Sequence, residues 1–152
     1  LQLVNVAKDV YDDYTEENNV YLPREWLAAE GVEQDAVLEP RNRSGTAAVV
    51  ARVAGHARTF LPGAQRYLEA VPTDDGNTLA AWAIPFLLAV GTLRELGRRP
   101  EDAVTGEGVK VSRQEVFAVV TAMSSADDAE RLGDMRQQVA DQPFHRAVGS
   151  AD

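Results

Sequence analysis

The first 23 residues read LQLVNVAKDVYDDYTEENNVYLP. Apolar residues recur there every three to four positions, which predicts an amphipathic helix over residues 1 to about 17. At about 100° per residue, Gln2, Asn5, Asp9, Asp12, Asp13 and Glu16 share one narrow stripe. Leu3, Val4, Val6, Ala7, Val10, Tyr11 and Tyr14 take the rest of the circle. So wide an apolar side predicts a mostly buried helix whose acidic stripe lines a cavity. Carboxylates one turn apart repel, each pair costing a helix about 0.2–0.5 kcal/mol. A hard cation would relieve that repulsion. Mg²⁺ takes oxygen ligands, commonly one or two carboxylates with waters and substrate phosphates. Asp9 and Asp13, at i and i+4, can hold such an ion, and Lys8 sits at the edge of the stripe where it could meet a phosphate.

The remainder of the chain reads as helices. Glu17-Asn18-Asn19 ends the first, and Val20-Tyr21-Leu22-Pro23 is extended, as residues before proline prefer. A short helix is expected over 24–30 with Gly31 at its C-cap. Ser44 is expected to cap a long helix to about Ala70, kinked at Pro62. Thr73-Asp74-Asp75-Gly76 reads as a turn. An apolar helix follows over 77–96 with Pro85 inside it, ended by Gly97 and Pro100. Residues 101–111 read as a loop. Ser112 and Glu115 form the pattern of a capping box for a helix to about Met123. A last helix is expected over about 127–141, stopped by Pro143, with residues 147–152 a frayed tail. No strand alternation, repeat or low-complexity segment is present. The class is all-α, an antiparallel helical bundle, with residues 1–146 as one domain.

Composition narrows the function. The 152 residues carry a net charge of −9, with thirteen Arg and only two Lys. An acidic surface argues against nucleic acid as a partner. The absence of cysteine excludes disulfides, thiolate zinc sites and cysteine nucleophiles. The longest apolar run, residues 79–90, is shorter than the roughly 20 residues of a membrane span. A cytoplasmic location is the expectation. His56 and His145 show no ligand spacing, and no glycine pattern matches a dinucleotide or phosphate loop. Trp26 and Trp82 read as core or boundary aromatics. The chain begins at Leu1, already inside the apolar pattern, which suggests the C-terminal part of a longer protein.

Gln2, Asn5, Lys8, Asp9 and Asp13, followed by Tyr21-Leu22-Pro23, resemble the second aspartate-rich motif of the squalene and phytoene synthase family. Ala81-Trp82-Ala83-Ile84-Pro85 and Val109-Lys110-Val111-Ser112-Arg113 look like that family's C-terminal helices. The acidic, Lys-poor composition looks like that of haloarchaeal members. The resemblance implies an isoprenoid synthase fold and head-to-head joining of two prenyl diphosphates. It implies Mg²⁺ held by Asn5, Asp9 and Asp13, with Asp9 and Asp13 catalytic. Gln2, Lys8 and Tyr21 would bind the substrate or close the site over it. Farnesyl diphosphate to squalene, with NADPH, is the first expectation, because the linker Glu16-Glu17-Asn18-Asn19 is longer and less basic than in phytoene synthases. Phytoene or dehydrosqualene formation is the alternative. A non-catalytic acidic interaction domain is the alternative of another class. The facing aspartate motif has no counterpart here, so the chain is expected to need the N-terminal part of the same protein for turnover. An apolar product suggests peripheral contact with a membrane.

Overall fold

The computed structural model describes residues 1–70, 76–124 and 131–148. All regular structure among them is helical: α1 (Gln2–Lys8), α2 (Val10–Glu17), α3 (Arg24–Ala29), α4 (Arg43–Arg58), α5 (Leu61–Ala70), α6 (Gly76–Arg98), α7 (Arg113–Ser124), α8 (Arg131–Asp141) and α9 (Phe144–Val148). Three 3₁₀ helices, Gln34–Ala36, Pro40–Asn42 and Pro100–Val104, join them. The class is all-α, as expected. The chain divides into two compact units, residues 1–58 with 95–110, and residues 59–94 with 111–152.

In the first unit α4 is the centre. α1, α3 and the 3₁₀ helix at Pro100–Val104 all pack on it. Val4, Ala7 and Val10 are buried in the N-terminal segment, and Val49, Val50, Val53, Ala54 and Ala57 are buried along α4. Spacings of three and four residues generate these faces. α3 ends as the sequence predicts. Gly31 adopts φ 71°, Val32 N–H donates to Leu27 O and Gly31 N–H to Ala28 O. This pair of bonds is the Schellman arrangement, which favours glycine at the left-handed position.

Gly45 marks a close approach. A Cβ there would lie 2.8 Å from Val32 Cγ2 and 3.3 Å from the Glu30 backbone oxygen. Val32 is buried, so its methyl cannot swing into solvent. Gly45→Ala would gain about 1 kcal/mol of helix propensity. Overpacking a tight contact costs typically about 1–3 kcal/mol. The expected net result is a lower melting temperature, measurable by circular dichroism. A rise would show that α3 and α4 can separate at little cost.

The second unit is built on α6. Leu79, Ala83, Phe86, Leu87 and Val90 meet Leu68 of α5, Val119 and Met123 of α7, Leu132, Met135 and Val139 of α8, and Phe144 of α9 in one apolar cluster. Residues Leu79–Arg98 form a helix long and apolar enough to cross a membrane, with a mean hydropathy of 1.4. Of that window 61% is buried inside the protein, as in a core helix.

Several boundaries differ from expectation. Arg43 continues directly from the 3₁₀ helix at Pro40–Asn42, so α4 begins one residue before Ser44 and Ser44 is no cap. The expected kinked helix to Ala70 is two helices, and Pro62 is the second residue of α5. In the first turn a missing N–H costs nothing, which is why proline starts a helix there rather than bending one. Gly97 lies within α6 rather than ending it. The expected loop after Pro100 opens with a 3₁₀ helix, Pro100–Val104. Beyond Pro143 the chain forms α9, which takes in residues 147 and 148 of the expected frayed tail, and the rest of that tail, 149–152, lies outside the described residues. So do residues 71–75, with most of the expected turn, and residues 125–130, where the last helix was expected to begin. Trp82 is 62% exposed rather than in the core. Trp26 is half-buried beneath the Arg52 guanidinium, 3.9 Å from its ring centre.

Candidate active site

The acidic stripe lies on α1 and α2. The predicted single helix is interrupted at Asp9, whose φ of −98° and ψ of 15° leave the helical region. The hydrogen-bond ladder continues across it. Asp9 N–H donates to Asn5 O at 2.9 Å, and Asp13 N–H donates to Asp9 O at 2.8 Å. Asn5, Asp9 and Asp13 therefore stand at successive turns of one face, as their spacing predicts.

Burial corrects one expectation. Of residues 1–17 only Val4, Ala7 and Val10 are buried, while Gln2, Asn5, Asp12 and Glu16 are exposed. Leu3, Val6, Tyr11 and Tyr14 are half-buried, so the apolar side is shared between packing and solvent. The stripe does not line an enclosed cavity. A hollow of about 540 Å³ in the first unit is lined instead by Pro40, Arg43, Ala47, Ala51 and Pro100 among others.

The two aspartates differ electrostatically. Lys8 Nζ forms an ion pair with Asp9 Oδ1, each side chain 31% exposed. Among the described residues Asp13 forms no such ion pair. Its carboxyl is pushed above the ordinary value of 3.8, first by burial, then by the charges of Asp9 and Glu17, with Lys8 opposing. Glu17 is the residue that sequence reasoning missed. It was assigned only to the helix end, yet it stands one turn beyond Asp13, and the i, i+4 count was sufficient to find it. Tyr21, expected over the site, is exposed and donates its hydroxyl to Glu17 Oε2 at 3.2 Å. It touches the stripe through Glu17.

Three oxygen-bearing side chains on one helical face, two of them anionic and mutually repelling, suit a hard divalent cation. They offer one side of its shell. Among the described residues no three His, Cys, Asp or Glu side chains gather into a metal-binding group. The chemistry of these oxygen donors fits Mg²⁺.

The described residues thus form an all-α chain with an aspartate pair one turn apart and a lysine paired to the first of them. Residues 1–115 match the Squalene/phytoene synthase family, and the chain is a member of it. It is 34% identical over 83 residues to a 15-cis-phytoene synthase of Enterobacter agglomerans, covering 55% of this chain and 26% of that protein. It is 30% identical over 102 residues to a 15-cis-phytoene synthase of Pantoea ananas, covering 67% of this chain and 30% of that protein. A bifunctional lycopene cyclase/phytoene synthase of Colletotrichum graminicola is 30% identical over 98 residues. The chain thus spans less than a third of the length of these relatives. No solved structure matches it.

Proposed function

We propose that this chain supplies one diphosphate-binding wall of an enzyme that joins two prenyl diphosphates head to head. The observation that carries the proposal is the Asn5–Asp9–Asp13 face, with Lys8 held at its edge. A bound Mg²⁺ would act as a Lewis acid on the departing diphosphate. Asp9 and Asp13 would offer it carboxylate oxygens and Asn5 an amide oxygen. Lys8 neutralises Asp9 in this structure. With Asp9 holding a cation, the Lys8 ammonium would be free to meet a phosphate oxygen. Gln2, one turn before Asn5, would bond the same diphosphate. Tyr21 would act through Glu17, holding that carboxylate at the end of the stripe.

Phytoene is the proposed product, rather than squalene. The relatives are named as phytoene synthases, and the linker offers no counterweight. In the structure that linker is the end of α2, with Asn18 left-handed at φ 52°. NADPH would then not be required. A C40 hydrocarbon has no polar group, so release into a lipid surface is the proposed route out, from a protein otherwise in the cytoplasm.

The test is an assay of the full-length protein with Mg²⁺ and geranylgeranyl or farnesyl diphosphate, with and without NADPH. Phytoene from the longer substrate is expected. Squalene appearing only with NADPH would return the choice to squalene synthase. No product from either substrate, with the fold intact, would leave a non-catalytic acidic domain.

A further inference from the structure

The helix carrying Asp13 has little apolar anchorage. In α2 only Val10 is buried. Its N-terminus has no side-chain cap. The ψ of Asp9, 15° against about −42° in a regular helix, makes a joint between α1 and α2. The packing of α1 on α4 therefore does not by itself aim α2. That helix is aimed by packing on the 3₁₀ helix at Pro100–Val104 and by two tyrosines on its other side. Tyr14 donates its hydroxyl to the backbone oxygen of Asp35 at 2.6 Å, across 21 residues. The Tyr11 ring lies against Gly106, 3.4–3.5 Å from where a Cβ would stand. Tyr11 and Tyr14 are about 100–160° around the axis from Asp9 and Asp13. The clamp and the carboxylates thus occupy different faces of one short helix.

We infer that Tyr14 is a positioning residue for the metal face: its bond to the Asp35 backbone fixes the C-terminal half of α2, and with it the aim of the Asp13 carboxylate relative to Asn5 on α1, across the joint at Asp9. The inference rests on the metal-binding reading above. A donor set split across such a joint binds a cation well only when its geometry is set beforehand, because ordering it on binding subtracts from affinity. Tyr14→Phe keeps the ring and removes only the hydroxyl. A net hydrogen bond corresponds to about a two- to twelve-fold change in an equilibrium constant.

The experiment titrates Mn²⁺ into the full-length protein, followed by electron paramagnetic resonance of the free ion, with no substrate present. Four proteins are compared: wild type, Asp13→Asn, Tyr14→Phe and Thr15→Val. The last removes the bond from Thr15 Oγ1 to Tyr11 O, 2.8 Å, which lies within α2 and ties it to nothing else. Tyr14→Phe is expected to weaken Mn²⁺ binding about two- to twelve-fold. Thr15→Val should leave it near wild type. If Tyr14→Phe binds like wild type, or both variants weaken equally, the positioning role is overturned while the loss in Asp13→Asn keeps the metal reading. If wild type binds no Mn²⁺, the metal reading falls and the inference with it.

Discussion

On the proposed function, Asp13→Asn is expected to remove nearly all turnover from the full-length protein and, in the absence of metal, to raise its melting temperature at neutral pH. The two effects have one origin. Burial and the charges of Asp9 and Glu17 raise the Asp13 carboxyl above 3.8. The folded protein therefore binds that proton more tightly than the unfolded chain. The resulting stability is fully present below the unfolded value of about 3.8 and is lost as pH rises through the folded value. At neutral pH the ionised carboxylate opposes folding, and the amide, which does not ionise, relieves it. Exposure to solvent limits the gain to roughly the few tenths of a kcal/mol of a like-charge pair. The catalytic loss is far larger. Removing a group that stabilises developing charge costs about 10²–10³ in kcat. Calorimetry across pH 4–8 and a single-turnover assay check both halves. A variant less stable than wild type at neutral pH would contradict the electrostatic account, and a variant with full turnover would contradict the catalytic one.

A site that strains the apo fold in this way is also the kind that sequence reveals well. The i, i+4 spacing of Asp9 and Asp13 survives in the structure because local hydrogen bonds enforce it, even across the interruption at Asp9. The end of α3 at Gly31 was legible for the same reason, since a left-handed residue is a local requirement. What escaped was non-local. Tyr14 counts as an apolar position in any helical wheel, and only the fold brings the Asp35 backbone to its hydroxyl. The exposure of Trp82 was equally hidden, because the flanking sequence is apolar on every side and burial on α6 is decided by which face meets α7 and α8. Pro62 was misread because a proline's effect depends on whether a helix has already begun.

Arg94→Met is expected to be the most destabilising of the substitutions considered, by about 3–5 kcal/mol, because it strands a charge in the core. Glu115 was expected to close a capping box. Only half of that box forms: Glu115 N–H donates to Ser112 Oγ at 3.2 Å. The Glu115 carboxylate turns inward, 1% exposed, to Arg94, which is 6% exposed. Both guanidinium nitrogens donate to it at 2.8 Å, Arg94 Nη1 also donates to Val139 O at 2.6 Å, and Phe144 N–H donates to Glu115 Oε1 at 3.1 Å. One buried pair thus joins α6, α7, α8 and the start of α9. A paired, bidentate carboxylate gains more there than a surface cap offers. Removing Arg94 alone leaves Glu115 without its counter-ion, and in a chain of this size the loss corresponds to a fall of very roughly 6–20 °C in melting temperature. The double variant Arg94→Met/Glu115→Met removes both charges and replaces them with side chains of similar volume. It should recover much of the loss, since buried ion pairs are often no better than apolar replacements. It should not recover all of it, because the Phe144 N–H is left without an acceptor at a cost of about 1–3 kcal/mol. Thermal melts of the two variants beside wild type therefore carry opposite expectations for two explanations. If the pair works by charge neutralisation, the double variant is more stable than the single. If the double variant is the less stable of the two, the hydrogen bonds to Val139 and Phe144 hold α8 and α9 in place, and the ion pair is only their scaffold.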